Sequence, residues 1–266
     1  MNITRKIAVI CLSLIMTVLL FACREGEQPP KKEPIKKPNE SFLKYGETNE
    51  TIVELSKVTN SIWVHTSYFE ENGVLVPANG LIVVADNSLV LIDTPWTDKQ
   101  MESLDKLVHE AFKGGFSTAI VTHAHPDRMG GASYLQKKKI PIASLEIVAE
   151  KAKEKGLVIP DQVSKADSVI LDLDNTDFEI FFPGEGHSSD NTVVWIEKYN
   201  VLYAGCLVKE LGSNSLGNIS EANLHAWPTS IEVIKEKYEN IDIVIPGHGQ
   251  WGDTSLIDYT LELLEE

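Results

Sequence analysis

Six side chains that can bind a metal ion sit at the ends of four apolar runs, and this placement constrains the fold more than any other feature of the sequence. His123, His125 and Asp127 follow "STAIVT", His187 follows "FEIFFPGEG", Cys206 follows "NVLYAG" and His248 follows "IDIVIPG". Short runs rich in Val, Ile, Tyr and Phe and closed by Gly or Thr read as β-strands. If the fold gathers those strand ends along one edge, the six side chains meet on loops carried by a rigid scaffold. A single histidine is more often an ordinary polar residue than a ligand. His65, alternating within a strand, His109, on a polar helix face, and His225 are read that way. Four repeats of one placement argue for metal at the other positions.

The rest of the chain supplies the scaffold. "SIWVHTSYF", "ANGLIVVAD" and "SLVLIDT" read as strands joined by Gly- and Asn-bearing turns. Met101, Leu104, Leu107, Val108 and Phe112 recur at helical spacing before the stop at Gly114. Strands and helices keep alternating to a final helix over "SLIDYTLELLEE". The pattern predicts an α+β chain in which two sheets form a sandwich covered by helices. Asn72-Gly73 within "SYFEENGVLVPANG" is a strong type I′ signal, so that segment reads as a hairpin.

Imidazole and thiolate together select zinc or copper over magnesium and calcium. Six ligands exceed the four of one tetrahedral zinc. Two Zn²⁺ ions with three protein ligands each, both keeping an open position, fit the count. A structural zinc would close its shell, more often with Cys pairs at short spacing, and no such pair is present.

Residues 1–22 have the layout of an export signal: Arg5 and Lys6, then the apolar run "IAVICLSLIMTVLLFA". The run falls short of the ~20 residues that a membrane span needs. Residues 23–48, rich in Pro, Lys and Glu, read as a flexible tether. The single globular domain is then 49–266. The whole-chain charge of −15, less +2 for the signal and +1 for the tether, leaves −18 on that domain. Such a surface repels phosphate backbones, so nucleic acid is excluded as a partner. No repeat or heptad calls for assembly, and a monomer is expected. Cys11 departs with the signal and Cys23 lies outside the globular domain, so Cys206 has no disulfide partner within that domain in an oxidising compartment.

"LFAC" at 20–23 resembles the lipobox of bacterial lipoproteins, which implies a periplasmic protein anchored to the membrane through a lipid on Cys23. "HAHPDRMGG", "GEGHSSDN", "AGCLVK", "LGN" and "PGHG" together resemble the class B metallo-β-lactamases of the first, di-zinc subclass, from "VPANGLIV" to "VIPGHGQWG". The resemblance implies a four-layer αβ/βα sandwich. It also implies zinc-dependent hydrolysis of the β-lactam amide bond of penicillins, cephalosporins and carbapenems by a metal-bound hydroxide, conferring antibiotic resistance. His123, His125 and His187 resemble the three-histidine zinc site, and Asp127, Cys206 and His248 the second site. Asp127 would also orient the attacking group. Lys209 in "CLVK" resembles the lysine that grips the substrate carboxylate, and Asn218 in "LGNIS" the amide that polarises the lactam carbonyl. The hairpin resembles the family's mobile flap, with Phe69, Val74 and Val76 offering apolar contact to substrate. Asp93 and Arg128 are read as partners that orient ligands and balance charge.

Two alternatives have their own discriminators. Thioesterases resembling glyoxalase II carry His after the motif Asp and a bridging Asp at the Cys position, whereas this chain has Arg128 and Cys206. A zinc-storage lipoprotein using the same six side chains would bind the metal and leave β-lactams intact.

Overall fold

The computed structural model describes residues 35–265; the export-signal and Cys23 readings fall outside the described residues. The first sheet has eight strands in sequence order: β1 (Phe42–Tyr45), β2 (Val53–Lys57), β3 (Ile62–Glu71), β4 (Val74–Val84), β5 (Leu89–Ile92), β6 (Phe116–Ile120), β7 (Ile142–Leu145) and β8 (Gln162–Ser164). Pairing is antiparallel as far as β5 and parallel from β5 to β8. The change is forced by connection length. Two residues join β3 to β4, with Asn72 and Gly73 both at positive φ, 52° and 80°, as a type I′ turn requires. The parallel pairs are joined by helices α1 (Asp98–Phe112), α2 (Pro126–Met129), α3 (Ala132–Lys138) and α4 (Glu146–Glu154), with α2 and α3 sharing one crossover.

The second sheet has the order β13-β12-β11-β10-β9, formed by β9 (Ser168–Asp172), β10 (Asp177–Phe181), β11 (Val193–Ile196), β12 (Val201–Gly205) and β13 (Ile243–Pro246). Helix α5 (Trp227–Lys237) makes the crossover between the parallel β12 and β13, and α6 (Ser255–Glu265) follows. Alternate residues of the central strands face opposite layers. Ile62, Val64, Leu81, Val83, Val90 and Ile92 meet Phe178, Ile180, Val194, Tyr203 and Ile245 between the sheets. Trp63, Ile82, Leu89 and Leu91 pack under Leu104, Val108 and Phe112 of α1. On the far side, Leu202 and Val244 pack against Trp227, Ile231 and Leu256. The layers run helix, sheet, sheet, helix, as the α+β sandwich expectation required.

One boundary needs correction. The segment 23–48 was expected to be tether throughout, yet its C-terminal part belongs to the fold. Lys36 N–H donates to Phe112 O at 2.9 Å, Ile35 packs against the helix-side core, and Phe42–Tyr45 pairs with Val53–Ser56. Ile35, Leu43 and Tyr45 supply the apolar contacts. Their scatter among Lys, Glu and Pro hid them from a compositional reading.

Candidate metal centre

Helix α2 begins directly behind β6, and His125 is its N-cap residue, with extended backbone (φ −115°, ψ 156°). Pro126 follows at a position where its missing N–H costs nothing. This geometry turns His123, His125 and Asp127 to the same edge. Cys206 follows β12 directly after Gly205, whose φ of +54° swings the chain sharply. Gly247, just past β13, lies so close that a Cβ there would sit 2.8 Å from the Cys206 sulfur. Only glycine lets the two strand ends approach in this way.

The six expected side chains form two groups. His123, His125 and His187 make one, and Asp127, Cys206 and His248 the other, the candidate ligand atoms in each lying within 4.8 Å of one another. His125 Nδ1 is 3.2 Å from His187 Nε2. In the second group Cys206 Sγ is 3.4 Å from His248 Nε2 and 3.5 Å from Asp127 Oδ2, and His248 Nε2 is 3.2 Å from Asp127 Oδ2. Tetrahedral zinc with bonds of ~2.0–2.3 Å places its ligand atoms about 3.3–3.6 Å apart. The second group fits the ion in spacing, the His125–His187 separation in the first agrees with it, and both groups fit in donor chemistry.

Hydrogen bonds on the far side of the rings settle which nitrogen faces inward. Thr122 Oγ1 donates to Asp93 Oδ2 at 2.7 Å, so towards His123 Nδ1, 3.2 Å away, it acts as acceptor. That fixes the proton on Nδ1 and leaves the lone pair of Nε2 inward, a buried nitrogen with no protein partner. His125 Nε2 faces Glu221 Oε2 at 3.2 Å, which frees Nδ1 for metal. His248 Nδ1 donates to Pro77 O, leaving Nε2 beside the thiol and the carboxylate. Such outer hydrogen bonds orient metal-binding histidines and set their tautomers.

Electrostatics point the same way. Burial, and then Lys209, hold His187 well below the ordinary imidazole range; burial and the neighbouring histidines do so for His123. Neutral imidazole is the form that binds metal. Burial pushes the Asp127 carboxyl up, but Arg128 and His248 outweigh it and hold it well below the usual range. Burial alone would lower His248, yet Cys206 and Asp127 raise it to about 9.

Arg128 is fully buried. Its Nε and Nη2 donate to Asp127 Oδ2 at 2.9 and 2.6 Å, Nη1 to Tyr203 OH at 2.7 Å, and Nη2 to Gly247 O at 2.9 Å. Asp93, at φ 58°, takes Thr122 N–H at 2.8 Å and Tyr203 OH at 2.9 Å and lies 3.5 Å from Arg128. Burial raises its carboxyl to about 6 despite Arg128.

Both groups open on a cleft of about 710 Å³ whose wall includes Phe69, Val76, Trp96, Lys209 and Asn218. Phe69 stacks on Trp96 with ring centroids 5.1 Å apart. Lys209 is nearly buried, its ammonium 5.3 Å above the Trp227 ring, and burial lowers its pKa. Val74 is the flap residue that departs from expectation: it is 64% exposed near the hairpin tip and does not line the cleft. His65 lies outside both groups; it is buried with Nε2 3.0 Å from Asp93 O. Trp96, Lys155 and Glu221 also line the cleft. The lysine and the glutamate gave no signal in the sequence, since charged residues in loops and at helix ends are the norm.

Residues 73–248 match the model of the metallo-β-lactamase superfamily. The chain belongs to that superfamily. It is 41% identical over 219 residues to the metallo-β-lactamase type 2 of Bacillus cereus, covering 82% of this chain and 85% of the relative. To that of Bacteroides fragilis it is 34% identical over 215 residues, covering 80% and 86%. Among solved structures, a metallo-β-lactamase from Pontibacter korlensis superposes with a TM-score of 0.77 at 36% identity, over 80% of this chain and 99% of that one. The DIM-1 metallo-β-lactamase gives 0.76 at 34% identity, over 80% and 96%. Metal dependence is thus a property of the family, and the paired donor groups are where a metallo-β-lactamase fold delivers its strand ends.

Proposed function

We propose that this chain is a di-zinc β-lactamase that opens the amide bond of penicillins, cephalosporins and carbapenems and so confers resistance on its host. The observation that carries the reading is the pair of donor triads, the ligand atoms of each within 4.8 Å of one another, on one cleft. His123, His125 and His187 would hold one Zn²⁺, and Asp127, Cys206 and His248 the other. Bound zinc supplies Lewis acidity and lowers the pKa of water from 15.7 towards ~7, so neither Ser nor Cys is needed as nucleophile.

The chain's own residues do the rest. Asp127, its charge fixed by Arg128, orients the attacking water with the one carboxylate oxygen that Arg128 leaves free. Lys209, nearly buried with its ammonium over the Trp227 ring, offers that ammonium to the substrate carboxylate as a point charge. Asn218 Oδ1 accepts Ser220 N–H at 3.0 Å, which leaves the amide NH₂ free to donate to the lactam carbonyl as it gains negative charge. Phe69 and Val76 form the apolar side of the cleft against which substrate substituents pack. Export and a lipid on Cys23 belong to the same reading, supported by the layout of residues 1–23, as does a monomeric state.

The test is a hydrolysis panel of a penicillin, a chromogenic cephalosporin, imipenem and aztreonam, with and without EDTA or clavulanate. Turnover of the first three, abolished by EDTA and indifferent to clavulanate, is expected, with aztreonam surviving. A protein holding two zincs that leaves imipenem and the cephalosporin intact overturns the reading.

A further inference from the structure

The Ala124 peptide, between the first two motif histidines, is gripped at both ends. Its N–H donates to Asp190 Oδ2 at 2.7 Å, and its carbonyl accepts from Lys155 Nζ at 3.1 Å. Lys155 caps the C-terminal end of α4, and its side chain is 24% exposed. The same ammonium donates to Glu221 Oε2 at 2.6 Å, and that oxygen faces His125 Nε2 at 3.2 Å. One cation therefore joins three segments distant in sequence: the HxH motif, the end of α4, and the loop between Val208 and α5.

The other hydrogen bonds that tie that loop to the fold lie towards its ends. It has no regular secondary structure from Lys209 to Ala226, and Leu211, Ile219 and Leu224 lie exposed. Lys209 N–H donates to Thr260 Oγ1, Gln250 N–H to Glu210 Oε2, Tyr259 OH to Ser213 O, and Asn223 to Gly186 O and Glu185 Oε2, while Leu216 and Ala222 pack against the far-side core. Between those anchors come Gly217, Asn218, Ser220 and Glu221, which face the cleft. Glu221 is 38% exposed in its side chain, so without a partner its carboxylate would be drawn into solvent and away from the imidazole. The ammonium offers it a charge-assisted bond on the same oxygen that faces His125.

We propose that Lys155 is a positioning residue, an electrostatic clip that holds Glu221 against His125 Nε2 and thereby sets both the inward nitrogen of the three-histidine group and the placement of the loop bearing Asn218. The clip touches no substrate. It acts through Glu221 and the Ala124 carbonyl, and it rests on the β-lactamase reading only for its kinetic consequence.

The test compares Lys155→Met, Lys155→Arg, Glu221→Ala and the Lys155→Met/Glu221→Ala double variant with the parent chain. Zinc affinity is measured by competition with a chromophoric chelator, and loop opening by amide hydrogen exchange over residues 210–226. Lys155→Met is expected to weaken zinc roughly tenfold, the lower end of what outer hydrogen-bond partners of metal ligands contribute. It should speed exchange in the loop and leave α6 unchanged; Lys155→Arg should restore both values to within a factor of about three, as a second cation of similar reach. Adding Lys155→Met to Glu221→Ala should change zinc affinity no further. Unchanged affinity and exchange in Lys155→Met overturn the clip, as do additive losses in the double variant or general destabilisation that Arg does not rescue. These readouts involve no β-lactam, so they decide the clip even where the hydrolysis panel fails. With a chromogenic cephalosporin, a misplaced Asn218 should lower kcat more than it raises KM.

Discussion

Replacing Arg128 by Met separates charge from packing at the heart of this molecule. The guanidinium is fully buried between Asp127, at 2.6 Å, and Asp93, at 3.5 Å. Its departure leaves few orphaned acceptors. Gly247 O keeps Asn79 N–H at 2.8 Å and Asp93 keeps Thr122, while the one Tyr203 hydroxyl hydrogen serves either Asp93 Oδ2 at 2.9 Å or Asn79 O at 2.8 Å. Met also fills much of the aliphatic volume. What is lost is the cation, and removing one partner of a buried pair costs about 3–5 kcal/mol. In a domain of this size each kcal/mol lowers Tm by about 2–4 °C, so the zinc-free variant should melt roughly 6–20 °C below the parent.

Zinc changes the sum. An ion between Asp127, Cys206 and His248 neutralises the carboxylate that Arg128 serves, so the loaded variant should lose less than the zinc-free one. A difference of about 1.4 kcal/mol corresponds, by linkage, to roughly tenfold tighter zinc binding in the variant. Arg128 thus stabilises the empty centre and opposes its filling. Urea denaturation in EDTA and in saturating zinc gives the two stabilities, and chelator competition gives the affinity independently. Equal losses in the two states, with unchanged affinity, would mean that Arg128 acts by shape and not by charge.

Cys206→Ser replaces the thiolate of the second group by a poorer zinc ligand; zinc stoichiometry should fall towards one at limiting metal and kcat/KM by at least ~10-fold, checked by metal analysis and steady-state kinetics. Lys209→Met should raise KM about tenfold for substrates bearing a carboxylate and change kcat less, since the contact is made before and during ring opening alike. His65 is held at about 4, below its unfolded 6.5, chiefly by burial, so its neutral form is the folded one. Its contribution is complete above pH 6.5, and about 3 kcal/mol is lost as pH falls towards 4. Asp93, raised to about 6, acts in the opposite sense, and protonating it between pH 6 and 3.8 returns a similar amount. Asp93→Asn, unable to take up that proton, should therefore lose stability more steeply than the parent between pH 6.5 and 4, and a parallel decline would refute the pairing.

The metal ligands were legible because metal chemistry admits few side chains and strands announce their ends. Apolar runs stopping at Thr122, Gly205 and Gly247 located the loops, and the residues just past them did not depend on the exact register. Val74 was misplaced because alternation along a hairpin says which residues share a face, but the twist and length of the hairpin decide how far that face reaches over the cleft. Ile35 and β1 were missed because an edge strand needs only one apolar face, and Leu43 and Tyr45 provide it between residues typical of a linker. Lys155 and Glu221 lie 66 residues apart. Each alone looks like solvated charge, and only the tertiary fold joins them at the histidine. Motif spacing therefore reveals the atoms that would touch the metal, while the groups that aim those atoms emerge only from long-range packing; Arg128 is the exception, since its neighbour Asp127 carries it into the site.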